Sequence, residues 1–153
     1  MQFRTLLTVI SLAALSACAR SAAPAPATAT TTQAAAANSE QERFRRMSVE
    51  ELSRAMAANE AVTVIDNNGR ERYEQGHIPS ARHVGHDEVT PAVLPADRAA
   101  RLVFYCYNES CHACHNAANQ ALNLGYTNVF ILPAGITGWQ AANQRVVSGP
   151  NPS

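Results

Sequence analysis

Three kinds of hydrophobic pattern divide the chain. Thr5 to Leu15 is an uncharged run rich in Leu, Val, Ile and Ala behind the basic start Met1 to Arg4. It is too short to span a hydrocarbon layer of roughly 30 Å, which takes about 20 apolar residues, so residues 1–17 read as a removable signal segment. From Ala19 to about Ser39 the chain is almost wholly Ala, Pro, Thr and Ser, without large apolar side chains. Such a stretch cannot offset its ordering entropy, and residues 18–39 are expected to be a disordered spacer. Patterns of a packed domain are confined to residues 40–148. There Ser48 is an N-cap candidate with Glu51 three residues on, and Val49, Leu52 and Met56 predict a helix to about Asn59. Val62 to Ile65 is a β-branched run ending in Asp66. Arg101 to Tyr105 repeats the design and ends in Cys106, and Asn128 to Leu132 is a third such run. Short, nearly continuous apolar strands suit a parallel sheet covered on both faces. A helix from about Cys111 to Leu124, closed by Gly125, joins the last two strands in a βαβ unit.

With 153 residues there is room for one domain, and a monomer is expected. Lys plus Arg (12) balances Asp plus Glu (12), so no excess charge draws in nucleic acid or an acidic membrane surface. The apolar fraction of 46% overstates the core, because much of it is alanine near the N-terminus. The sequence has no phosphate-cradling glycine run, no carboxylate pair at hydrolase spacing and no internal repeat.

Chemistry in an open parallel sheet collects beyond the carboxyl ends of the strands, where Asp66 and Cys106 fall. Cys106 also precedes the turn into a helix, whose N–H groups and dipole favour a thiolate or an anionic substrate. The polar loop behind it, Tyr107, Asn108, Glu109, Ser110 and His112, is the expected substrate-binding segment. Cys106, Cys111 and Cys114 form a Cys-x4-Cys-x2-Cys series. Cys111 is the better candidate to resolve a persulfide or sulfenic acid on Cys106, while Cys114 is either a packed first-turn residue or a redox partner. Cys111, Cys114 and His115 also satisfy a Cys-x-x-Cys-His pattern for c-type haem. Against haem, the motif lies where a helix must pack on the sheet through Ala117, Ala118, Ala121 and Leu122. A zinc site is weak for a different reason, since the Cys-x-x-Cys pair supplies only half of a closed tetrahedral set. No metal or resident cofactor is therefore expected. His83 and His86 read as loop residues near the crevice edge, and Trp139 as a core anchor.

Two resemblances extend this reading. Leu15-Ser16-Ala17-Cys18 resembles a bacterial lipobox, which implies a lipidated Cys18 and a place in the cell envelope, facing the periplasm if the cell is Gram-negative. Met47 to Val147 resembles the rhodanese family. Asp66 ends the first matching strand, and Gly76-His77-Ile78-Pro79-Ser80-Ala81 is similar to the family's Gly-His-Ile-Pro-Gly-Ala signature. Tyr105-Cys106 looks like the strand end that delivers the nucleophile. Gly125-Tyr126, Asn128-Val129, Gly135-Ile136 and Gly138-Trp139 resemble the closing pattern. The resemblance implies an α/β, rhodanese-like open parallel sheet flanked by helices on both faces. It also implies a Cys106 persulfide that takes sulfur from a small donor and passes it to a thiol acceptor. Asp66 and His77 then organise the loop beneath the site and the turn before Pro79.

The loop departs from the family's Cys-x-x-Gly-x-Arg. Neither the glycine nor the arginine is present, and the connection to Gly125 is about two residues longer. Glu109 is expected to repel an anion, which disfavours thiosulfate, and His112 or His115 is left to supply positive charge when protonated. A non-catalytic binding module and an envelope dithiol/disulfide protein are the rival readings. A phosphatase ranks last for want of an arginine to neutralise oxyanions.

Overall fold

The structure, a computed structural model, describes residues 43–150. The expected signal segment, the lipidation site Cys18 and the spacer lie outside the described residues.

Five strands form one parallel sheet in the order β1-β5-β4-β2-β3. They are β1 (Arg45–Arg46), β2 (Val62–Asp66), β3 (Arg82–His83), β4 (Arg101–Tyr105) and β5 (Val129–Leu132). The helices are α1 (Val49–Ala57), α2 (Arg70–Gln75), α3 (Ala113–Asn123) and α4 (Gly135–Ala141). The three long strands fall on the three β-branched runs. The edge strands β1 and β3 are two residues each and carry no hydrophobic run, so pairing with a neighbour defines them rather than composition. Helix α1 begins on a closed capping box: Glu51 N–H donates to Ser48 Oγ at 3.1 Å and Ser48 N–H to Glu51 Oε2 at 2.7 Å, an arrangement worth about 1 kcal/mol.

The pleat of the central strand β4 sorts its side chains between two cores. Leu102 and Phe104 face one side with Ile65, Ile131 and the α3 stripe Cys114, Ala117, Ala118 and Ala121. Val103 and Tyr105 face the other with Leu52, Val64, Ile136 and Trp139 from α1, β2 and α4. Helices thus cover both faces, as the α/β reading required. Cys106 continues the Leu102–Phe104 alternation and is buried on the α3 side.

Helix α3 starts at Ala113, two residues later than the sequence predicts. Asn108 is the reason: its side-chain oxygen accepts from Ser110 N–H at 3.1 Å and its carbonyl accepts from Cys111 N–H at 3.0 Å. That local turn consumes Ser110 and Cys111 before the helix can form. Gly125 takes φ +89° behind the helix, the left-handed stop expected of it.

The strand end of β4 is fixed from the far side by α4. Ile136 N–H donates to the Cys106 carbonyl at 2.9 Å and Thr137 N–H to the Tyr107 carbonyl at 3.1 Å. Gly135, at φ +58°, permits this approach, because a Cβ there would meet Tyr107 O at 2.5 Å and Cys106 O at 2.6 Å. Gly135→Ala is expected to cost about 2–4 kcal/mol. Gly125→Ala, whose Cβ would meet nothing within 4 Å, should cost only the left-handed penalty of about 1–2 kcal/mol. Urea midpoints compare the two, and equal losses would show that the Gly135 contact is not a tight clamp.

Candidate active site

The loop 106–112 joins β4 to α3 at the carboxyl end of the sheet, and three thiols meet inside it. Cys106 Sγ is 3.4 Å from Cys114 Sγ and donates to the Cys111 carbonyl at 3.2 Å. All three cysteines are unbridged, with Cys106 and Cys114 buried and Cys111 half-buried. Sequence reasoning favoured Cys111 as the partner of Cys106, yet the sulfur standing directly against it inside the core is Cys114. The pleat of β4 and the helical spacing of Cys114, Ala117, Ala118 and Ala121 put both residues on one face of the sheet.

The Cys106–Cys114 pair shares a proton unevenly. The Cys106 thiol, by donating to Cys114, holds Cys114 below the ordinary thiol range against its burial, with N–H groups of Cys114 and His115 helping. The same bond, and then burial, pushes Cys106 up. The first proton of the pair therefore leaves early and the second late. Burial first, and then its bond to Cys106, raises Cys111, opposed by the N–H groups of Tyr107 and Ala113.

One histidine of the loop, His115, is disfavoured as a cation. His115 is held below the ordinary imidazole range by burial first and by His112 second. Its ring lies edge-on to Phe44 with centroids 5.4 Å apart, and its Nδ1 is 3.6 Å from Cys114 Sγ. His112 stands at the N-cap of α3 without a capping bond. Attachment of a haem would have to draw Cys114 out of the core. Among the described residues no group of three or more Cys, His, Asp or Glu side chains is arranged to hold a metal.

Glu109 does not face the sulfurs in isolation. Its carboxylate pairs with Arg46 at 3.3 Å on the exposed side of the loop. Tyr107, 40% exposed, lies under the Arg72 guanidinium at 3.9 Å from ring centroid to carbon. Arg72 comes from α2, and sequence reading passed over it because no spacing rule links it to the loop.

Asp66 and His77 support the site from below. Asp66 is fully buried and its Oδ1 accepts from Asn68 N–H at 2.7 Å and Asn68 Nδ2 at 2.8 Å. Burial raises its carboxyl above the ordinary range, against the bonds from Tyr105 and Asn68. Tyr105 in turn accepts from Ile78 N–H at 3.1 Å, next to the His-Ile-Pro turn. His77 stacks on Tyr73 at 3.8 Å, bonds its Nδ1 to the Tyr73 carbonyl at 2.8 Å, and pairs by backbone with Val147.

A crevice of about 610 Å³ opens beside the loop, walled by Arg70, Arg72, His83, His86, Tyr107 and Cys111 among others. Cys111 is the thiol on that wall, and Cys106, 1% exposed, lies behind it. His83 is more than a loop residue, since its Nε2 bonds the Asn68 carbonyl at 2.8 Å.

A buried thiol at the end of the central strand, beneath a loop that runs into a helix, defines a thiol-centred α/β domain. The chain belongs to the rhodanese-like domain family, whose profile matches residues 48–142. It is 27% identical over 100 residues to the thiosulfate sulfurtransferase GlpE of Shewanella oneidensis, covering 65% of this chain and 96% of that protein. The Stutzerimonas stutzeri counterpart is 27% identical over 82 residues, 54% of this chain and 73% of the relative. Among solved structures, a Bacillus halodurans protein superposes with a TM-score of 0.64 at 21% identity, covering 78% of this chain and 87% of its own. The human single-domain sulfurtransferase gives 0.55 at 24% identity, with 63% and 95% covered.

Two outcomes follow. Limited alkylation of the native reduced protein by iodoacetamide should label Cys111 first, with Cys106 and Cys114 at least about 10-fold slower because they lack exposure; peptide mapping reads the order, and uniform labelling would contradict the packing. Asp66, with a folded pKa above its unfolded value, contributes stability that is complete below the ordinary carboxylate range and is lost as pH rises through the raised value. Asp66→Asn should therefore gain stability relative to the parent protein between about pH 3.5 and pH 7. Parallel urea curves at the two pH values would refute the buried-carboxyl account.

Proposed function

We propose that the chain is a sulfurtransferase that carries sulfane sulfur as a persulfide on Cys106 and hands it to a thiol acceptor. The observation that carries this reading is the seat of Cys106. It closes the central strand, is bonded to a second thiol at 3.4 Å, and has its carbonyl held by α4. Its relatives in the family include thiosulfate sulfurtransferases.

Moving the shared proton from Cys106 to Cys114 leaves a Cys106 thiolate without drawing on solvent. That thiolate attacks the terminal sulfur of a donor R–SO2–S⁻, forming the Cys106 S–S bond and releasing the sulfinate or sulfite with the electron pair of the broken bond. An acceptor thiolate then attacks the outer sulfur, takes it as a persulfide, and returns Cys106 as the thiolate. Since Cys111 stands between Cys106 and the crevice, its side chain has to yield before a donor reaches Cys106. Cys111 thus controls access, and the N–H groups at the start of α3 oppose the negative charge. No metal takes part. The domain is proposed to act as a monomer on a lipid tether at Cys18, in a bacterial cell envelope.

The 3.4 Å contact also favours a second reading, a dithiol/disulfide protein. A partner disulfide would exchange with the pair, leaving a Cys106–Cys114 bond and two partner thiols. Steady-state transfer to a small thiol separates the two. Cys106→Ser is expected to lower kcat/KM by about 10³-fold or more, and Cys114→Ser by about 10-fold with persulfide still formed. Retained transfer in Cys106→Ser would sink the sulfurtransferase reading. Loss of all transfer in Cys114→Ser, with a disulfide as the sole product in the parent protein, would favour exchange.

A further inference from the structure

Any sulfur held on Cys106 has a second thiol beside it, inside the core. Cys114 Sγ stands 3.4 Å from Cys106 Sγ, and the two residues are only 2% and 1% exposed. The contact is with the atom that becomes the inner sulfur of a persulfide. We propose that Cys114 resolves the Cys106 persulfide from within, expelling hydrosulfide and leaving a Cys106–Cys114 disulfide that an external dithiol reopens. The proposal rests on the sulfurtransferase reading for the persulfide itself, and adds to it a second outlet, release of sulfide without a thiol acceptor.

In this step the Cys114 thiolate attacks Cys106 Sγ and forms the Cys106–Cys114 bond. The bond from Cys106 Sγ to the outer sulfur breaks, and its electron pair leaves on the outer sulfur. That sulfur takes up the proton given by Cys114 and departs as hydrosulfide. The sulfane sulfur is reduced and the two cysteine sulfurs are oxidised. A dithiol returns the two electrons by exchange and becomes a disulfide itself. Hydrosulfide is a weaker base than a cysteine thiolate, which makes it the better leaving group.

Packing selects Cys114 over Cys111 for this role. Cys111 meets Cys106 Sγ through its carbonyl, at 3.2 Å, and lies on the crevice wall. An external thiol has to pass Cys111 to reach the same sulfur, whereas Cys114 is already in contact with it. Such contact outweighs a dissolved reagent, because the ordering entropy of the encounter is already lost in folding. The sulfurs have to close to about 2.05 Å, and Cys114 sits in the first turn of α3, where the helix meets the loop. Backbone N–H groups of Cys114 and His115 favour a Cys114 thiolate, and they remain once Cys106 carries sulfur instead of a proton. His115 Nδ1, 3.6 Å from Cys114 Sγ, is a further polar neighbour that does not depend on the Cys106 proton.

Sulfide release from the loaded protein, in the absence of any thiol, tests the step. The reduced protein is loaded with the benzenethiosulfonate anion and separated from excess donor. Sulfinate is then measured by chromatography, sulfide by a colorimetric assay, and bridges by non-reducing peptide mapping. Neutral alkylation immediately after loading should trap the added sulfur on Cys106. Left unalkylated, the parent protein should release about one sulfide per chain and map to a Cys106–Cys114 disulfide. Cys114→Ala, whose side chain suits the alanine stripe of α3, should still form the sulfinate and keep the sulfur on Cys106. Its sulfide release should be at least about 100-fold slower, whereas Cys111→Ser should still release sulfide. A lasting Cys106 persulfide in the parent protein, with no sulfide, would overturn the proposal and leave the sulfurtransferase reading standing. A Cys106–Cys111 disulfide would overturn it as well. Absence of both sulfinate and added sulfur would overturn the sulfurtransferase reading, and the proposal with it.

Discussion

Two backbone hydrogen bonds from α4 to the carbonyls of Cys106 and Tyr107 hold the site together. A strand that ends at its last ladder bond normally frays into the next loop. Here the first turn of a helix from the far side of the sheet continues to bind the chain for two residues past β4. Gly135 makes this possible because no side chain fits between the two backbones. With both carbonyls fixed, the direction of Cys106 Sγ follows from the pleat, and so does its contact with α3. The outward aim of Tyr107, which presents its ring to Arg72, follows from the same anchor.

The consequence for chemistry is a thiol that is protected rather than displayed. Cys106 lies behind Cys111 and shares its proton with Cys114. A persulfide is easily lost to stray thiols and oxidants, and a closed loop would protect the one proposed on Cys106 between donor and acceptor. The extra loop residues, which the Asn108 turn folds back on themselves, supply the cover.

Much of the fold was legible along the chain. The β-branched runs before Asp66 and Cys106, the Ser48–Glu51 capping box and the stop at Gly125 each follow from a local rule, and each stands where the rule puts it. The Cys106–Cys114 contact was also within reach, since period two on β4 and period three to four on α3 place both sulfurs on one face. Cys111 is the better candidate on sequence only because Cys114 falls in the first turn, where a packed residue and a redox partner are equally expected. The short strands β1 and β3, the Asn108 turn's delay of α3, and the stacking of Arg72 on Tyr107 were not legible. They depend on which distant segments the sheet order brings together, and no periodicity encodes that.

The central claim is that Cys106 holds the sulfur. Intact mass of the reduced protein, taken after a sulfane donor and neutral alkylation, with the site located by fragmentation, tests it most directly. The account expects a reducible gain of about 32 Da on Cys106. A gain confined to Cys111 or Cys114, or none with any anionic or neutral donor, would contradict it.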